Sequence, residues 1–136
     1  FDSSKVDFLK LALELYQPSY LSFEWALGFY NILSQKSEQI TLATSGRSKK
    51  MEVRDKFFIY HHLKADFFWG YEKRDNYLIA MPEKALLDLA YLGIKGYAHF
   101  DAEEMNWQFL DKNKINEYLK KMNDKRLDLL LKKYLK

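Results

Sequence analysis

Three side chains near the middle of the chain have the makings of acid–base chemistry: Glu83, Lys84 and Asp88. Lys84 and Asp88 stand four apart, so on a helix they meet. The cation precedes the anion, the weaker orientation, worth at best a few tenths of a kcal/mol on a surface, roughly. Glu83 falls where a helix N-terminus favours a carboxylate. The set is therefore read as a dipole-stabilising carboxylate and a surface ion pair, at a helix end that is a candidate functional surface. The D…E-x-K pattern of metal nucleases is not met, because no Asp stands at the matching place on the preceding strand. His61-His62 is the second set. Neighbours on a strand point to opposite faces, so the two cannot hold one ion between them. No Ser or Asp lies at a motif spacing that would make either a general base. With no cysteine, thiolate catalysis, disulfides and Cys-based zinc sites are excluded. No catalytic, cofactor-binding or metal-binding residue is assigned.

A third set points to phosphate. Ser45-Gly46-Arg47-Ser48-Lys49-Lys50, with Arg54 and Lys64 close behind, joins a glycine loop to clustered cations. Backbone N–H groups and basic side chains of that kind meet phosphates, and the same residues also suit a solvated loop. The G-x-x-x-x-G-K-[ST] spacing of a nucleotide loop is absent. Tyr60, Trp69, Tyr71 and Tyr77 interleave with the charges and would serve for base stacking or as core. Arg74, Lys125 and Arg126 complete the candidate nucleic-acid or partner contacts. Lys120-Lys121, Lys125-Arg126 and Lys132-Lys133 alternate with Leu127, Leu130, Leu131 and Tyr134. That pattern admits a solvated amphipathic face, a second DNA patch or a partner-docking helix.

The charge is unevenly spread. Residues 45–74 hold eight Lys/Arg against four Asp/Glu, and residues 112–136 nine against three. Between them, residues 83–111 hold two Lys against six acids. Two basic stretches flanking an acidic one suggest nucleic acid or an acidic partner.

The elements that must position these residues follow from periodicity. Tyr77–Ala80 reads as a strand running into a helix that starts at Pro82. Ala85, Leu86, Leu89 and Leu92 lie on one arc of that helix, yet Leu87 and Tyr91 lie on its polar side. It is therefore expected to be central, on the sheet with another element over it, and broken by Gly93 and Gly96. Helices are expected over residues 7–17, stopped by Pro18, and over Phe23–Leu33, capped by Ser22. Strands are expected at Gln39–Thr44, Lys49–Val53, Phe57–Leu63 and Phe67–Lys73. Residues 97–110 are read as a short helix from Asp101 and an extended piece. Helices follow at Lys114–Met122 and Lys125–Leu135, the last capped by Asp124. Strands grouped together with helices at the ends argue α+β: about five mostly antiparallel strands, a central helix, N-terminal helices and a C-terminal helical pair.

A chain of 136 residues, 48% hydrophobic and 17% aromatic, suits one domain with a real core rather than a disordered segment. No run is long enough to span a membrane. Because the chain starts at Phe1, it is expected to be a piece of a longer protein cut near a domain boundary.

The strand followed by Ala80-Met81-Pro82-Glu83-Lys84-Ala85-Leu86-Leu87-Asp88-Leu89 resembles the C-terminal domain of AbiEi-type antitoxins, the antitoxin half of type IV toxin–antitoxin systems. Pro18-Ser19-Tyr20-Leu21-Ser22-Phe23-Glu24-Trp25-Ala26-Leu27 is similar to that family's P-S-Y-[IL]-S-x-x-x-A-L segment. Phe67-Phe68-Trp69-Gly70-Tyr71 resembles its F-F-x-G-Y element, and Asn123-Asp124-Lys125-Arg126-Leu127 its S-K-R-[LV]. Order and spacing agree over about residues 10–135. One departure is Met81, where the family carries a Ser or Thr helix cap, a loss of ~1 kcal/mol.

The resemblance implies a cytoplasmic antitoxin domain whose partner winged helix-turn-helix, the promoter-binding part, lies outside these residues. The opposing toxin would be nucleotidyltransferase-like and need not form a stable complex with it. DNA binding would belong to the full-length protein, in phage defence by abortive infection. No cofactor and no membrane are implied, and the oligomeric state stays open. Two other readings remain: a nucleic-acid- or nucleotide-processing enzyme domain, and a dimerisation or packing module.

Overall fold

The computed structural model describes residues 6–136. Its elements run α1 (Phe8–Leu15), β1 (Ser19–Leu21), α2 (Phe23–Phe29), β2 (Ile40–Thr44), β3 (Lys49–Val53) and β4 (Lys56–His62). After these come β5 (Tyr71–Arg74), β6 (Tyr77–Ala80), α3 (Pro82–Lys95), α4 (Lys112–Met122) and α5 (Lys125–Leu131). The class is α+β. The six strands form one sheet in the order β3-β4-β2-β1-β6-β5. The β1–β2, β3–β4 and β5–β6 pairs are antiparallel, and β1–β6 and β2–β4 are parallel. Both hairpins turn on two residues of positive φ, Arg54-Asp55 and Asp75-Asn76, the turn whose twist matches that of the flanking strands.

Alternation along β4 shows what covers each face. On one side the Phe58 ring meets Phe8 edge-on at 6.5 Å, and the Tyr60 hydroxyl donates to Ala12 O at 2.5 Å, so α1 lies there. On the other, His61 packs against Phe23 at 5.0 Å, so α2 lies there. The α3 helix packs beside α2, with α4 and α5 against it. Every residue from Glu83 to Leu92 is buried. Burying a leucine contributes about 1.5–3 kcal/mol, which offsets the cap that Met81 cannot supply.

Several expectations need correction. The strand β1 was not foreseen: three residues are too few to show a period. The expected strand at Phe67–Lys73 begins instead as a 3-10 turn (Ala65–Phe67), and extended structure starts only at Tyr71. The reason is Gly70, whose φ of +80° turns the chain. The central helix is not broken at Gly93. A side chain there would come within 2.7 Å of Phe100 Cβ, so that glycine permits close packing, and the helix ends at Gly96 in the left-handed region. Residues 97–110 hold two 3-10 turns, Ala102–Glu104 and Trp107–Phe109, with no extended strand. The last helix stops at Leu131 and tightens into a 3-10 turn over Lys132–Tyr134. The second helix ends at Phe29 rather than Leu33, and the first at Leu15 rather than Gln17.

Candidate functional site

The helix end holding Glu83, Lys84 and Asp88 is a core site. The Lys84–Asp88 pair, expected at the surface, is fully buried, and Glu83 is 5% exposed. The correction has a physical source. The face of α3 that carries them is covered by β1, by the start of α2 and by the 65–70 segment, none of which local periodicity could place there.

Three distant stretches converge on the pair. From α3, the Lys84 ammonium donates to Asp88 Oδ1 at 2.5 Å. From the 65–67 turn, Phe67 O accepts its second proton at 2.7 Å, and from β1 the Tyr20 hydroxyl accepts its third at 3.1 Å. Asp88 Oδ2 accepts in turn from the Tyr20 hydroxyl at 2.8 Å and from Ser22 Oγ at 2.7 Å. An ammonium has three donors, and all three are used. The Lys84 ammonium also lies 4.8 Å from the Trp69 ring centre, which Lys121 of α4 approaches at 4.2 Å.

Backbone geometry builds this cluster. Ser22 stands at the N-cap of α2 but makes no cap bond. Thr41 of β2 takes that duty: its hydroxyl accepts from Trp25 N at 3.0 Å and donates to Ser22 O at 2.6 Å. Phe23, buried at φ +59°, holds the strand-to-helix turn in the left-handed region, at a strain on the order of 1 kcal/mol or more. Ser22 is thereby released to Asp88. Gly70 is required on the opposite side: a Cβ there would sit 2.6 Å from Lys84 Cγ. Glu83 works separately, accepting from Asp111 N at 3.1 Å, where α4 begins.

Burial drives the Asp88 carboxyl up from its ordinary value, against the downward pull of Lys84, Ser22 and Tyr20. Burial likewise lifts the Tyr20 phenol well above its usual range, with the Asp88 charge adding to it. Closed to solvent and with every ammonium proton engaged, the cluster fastens β1, the 65–70 segment and α3 together; it offers no substrate a free acid or base. Comparison with family models, curated proteins and solved structures finds no match. Taken in chain order, the four sequence motifs nevertheless have a spatial meaning: Tyr20 and Ser22 come from the Pro18–Leu27 stretch, Phe67, Trp69 and Gly70 from Phe67–Tyr71, and Lys84 and Asp88 from Ala80–Leu89. The fourth supplies Asp124, which caps α5, and Leu127, buried beneath that helix.

The basic candidates fall in separate places. Arg47, Lys49, Lys50 and Arg54 follow the β3 edge of the sheet and its turns. Lys49 lies over the Tyr16 ring at 5.2 Å and Lys50 over Phe57 at 4.7 Å. The 45–48 loop is held by the Tyr16 hydroxyl, which donates to Arg47 O at 2.9 Å, and by His62, whose Nδ1 meets Gly46 O at 2.8 Å. Lys64 lies beyond β4, over Phe67 at 4.4 Å. Arg74 is on β5, the opposite sheet edge, paired with Glu72 at 2.8 Å. Arg126 pairs with Asp124 at 2.9 Å on α5, with Lys125 beside it. Of the candidate stacking rings, Tyr60 is buried and Tyr71 stacks on Tyr20 at 4.7 Å. The sequence offers Ser22 only as a helix cap and gives Tyr20 and Gly70 no role; their part in the cluster shows only once β1 and the 65–70 segment are placed against α3.

Proposed function

We propose that this domain is the antitoxin domain of a type IV toxin–antitoxin system, countering a nucleotidyltransferase-like toxin as a regulatory domain without catalysis of its own. The observation that supports the reading is convergence. Motif residues separated by more than sixty positions, Tyr20 and Ser22 against Lys84 and Asp88, meet in one hydrogen-bonded cluster. A chance match of short strings has no reason to do that. Because those residues are spent on the core, the contacts that oppose the toxin belong to the surface. The β3 edge, with Arg47, Lys49 and Lys50 exposed, is the first surface to test. Its charge would support contact with nucleic acid or with an acidic face of a partner.

The test is co-expression of these 136 residues with the toxin encoded beside them, scored by growth. Rescue is expected from the natural chain and loss of rescue from the Arg47→Glu, Lys49→Glu, Lys50→Glu triple variant, with folding unchanged by circular dichroism. A folded, soluble natural chain that fails to rescue growth would refute the reading. Among the described residues no helix is long and apolar enough to cross a membrane.

A further inference from the structure

Among the buried polar side chains Ser19 stands alone. Ser22, Thr41, Thr44, Glu83, Lys84 and Asp88 all have hydrogen-bond partners. Ser19, the first residue of β1, is 4% exposed, and its Oγ is enclosed with no partner among the described residues. Successive strand residues point to opposite faces. Tyr20 turns to Asp88 and α3, so Ser19 turns to the face that α1 covers. Thr44, opposite it on β2, is already engaged: its hydroxyl donates to Pro18 O at 2.8 Å and accepts from Gly46 N at 3.1 Å. An enclosed hydroxyl without a partner is destabilising unless something meets it.

The same residue lines a depression of about 400 Å³ between α1 and the β5–β6 hairpin, a size that suits a small ligand. One wall is aromatic. Phe68 and Tyr71 pack on Tyr20, at 5.1 and 4.7 Å, and on each other at 5.5 Å, so their place is set before any ligand arrives. Tyr71 and Leu78 are nonetheless each 37% exposed. The rim carries the exposed amides of Gln17 and Asn76, and its charges, Lys10 and Glu14, balance.

We propose that this depression binds an uncharged planar heteroaromatic ring of the nucleobase kind, presented as a nucleoside. A ring laid against Phe68 and Tyr71 gains stacking. The edge of a base sets donors and acceptors side by side. A hydroxyl both donates and accepts, and so does an amide; Ser19 meets that edge from within, Gln17 and Asn76 from the rim. The balanced charge gives a phosphate no advantage. Reaching Ser19 takes only rotamer adjustment at the rim, where Tyr71 and Leu78 are open to solvent. The site lies at the opposite end of the sheet from β3 and is independent of the antitoxin reading.

The experiment is calorimetric titration of the chain with adenosine, guanosine, cytidine and uridine in turn, paired with thermal melts. Saturable binding of at least one nucleoside and a raised Tm in its presence are expected, since a ligand of the native state raises its stability. Ser19→Ala should weaken that binding at least about tenfold, the loss of one hydrogen bond. Without ligand its Tm should match that of the natural chain, because the hydroxyl it removes has no partner. Asn76→Gly, which keeps the positive φ of the hairpin turn, should weaken binding too. The control Lys49→Ala, on the β3 edge, should bind as the natural chain does, and the 5′-triphosphate of the bound nucleoside should bind no more tightly than the nucleoside. No saturable binding of any nucleoside, binding untouched by Ser19→Ala, or a triphosphate bound at least about tenfold more tightly would each overturn the proposal.

Discussion

Replacing Lys84 with Met tests whether the buried cluster holds the fold together. Methionine keeps much of the stem that packs on Gly70 but removes the ammonium. Three acceptors then lose their donor at once: Asp88 Oδ1, Phe67 O and the Tyr20 hydroxyl. Breaking a buried pair by removing one partner leaves an uncompensated charge and costs about 3–5 kcal/mol. An orphaned carbonyl such as Phe67 O accounts for ~1–3 kcal/mol on its own, and the two overlap, so the larger range is the working figure. A domain of this size is stable by roughly 5–15 kcal/mol, so Lys84→Met should leave it marginal. Urea unfolding followed by circular dichroism measures the loss, and the melting temperature should fall on the order of 10–20 °C. Adding Asp88→Leu should recover part of it, because the stranded carboxylate goes too. A loss below about 1 kcal/mol for Lys84→Met would sink the idea that this cluster fastens the fold. So would a double variant less stable than the sum of the single changes. A variant as stable as the natural chain that no longer rescued growth would move the cluster from fastening to function.

Other perturbations separate the parts. Gly70→Ala should destabilise by at least ~1–2 kcal/mol, because its φ is positive and the new Cβ strikes the Lys84 stem; chemical denaturation reads it. Thr41→Val removes both the N–H acceptor at Trp25 and the donor to Ser22 O, and should cost about 1–2 kcal/mol, with hydrogen exchange faster at the start of α2. Asp124 titrates below its ordinary 3.8 chiefly because Arg126 donates to it. A depressed carboxyl stabilises the native state above its unfolded value and loses that contribution as pH falls through the folded one. Below about pH 4, the stability gap between the natural chain and Asp124→Ala, ~1 kcal/mol at neutral pH, should therefore narrow; a gap constant with pH would show that the carboxylate charge plays no part.

Much of the fold was legible where period or punctuation is local. Strand β3 appears with the bounds that alternation gives it, β6 with those that its β-favouring residue types give it, and β4 within one residue at each end. Asp124 caps α5 as its position indicated, and Asp7 caps α1. What was not legible depended on partners far along the chain. Ser22 looks like the cap of α2, and only the placement of Thr41 across the sheet explains why its hydroxyl is free for Asp88. Lys84 and Asp88 were visible as a pair, but an i, i+4 spacing carries no information about depth. The useful hint was Leu87 and Tyr91 on the polar side of α3, which announced a second covered face; drawn through, it would have put the ion pair beneath that cover.

A buried ion pair is weak support for stability as such, since well-packed apolar side chains of the same volume do as well or better. What the Lys84–Asp88 pair adds is a condition on assembly. Its ammonium is satisfied only when β1 brings Tyr20 and the 65–67 turn brings Phe67 O to the same point, and its carboxylate only when Ser22 is turned off the helix cap. A slip of β1 by one residue against β2 would send Tyr20 to the opposite face of the sheet and leave a buried charge unpaired. The pair therefore adds to the specification of the native register, beside the burial of β1 itself. The same reasoning accounts for why Tyr20, Ser22, Lys84 and Asp88, polar though they are, lie buried together.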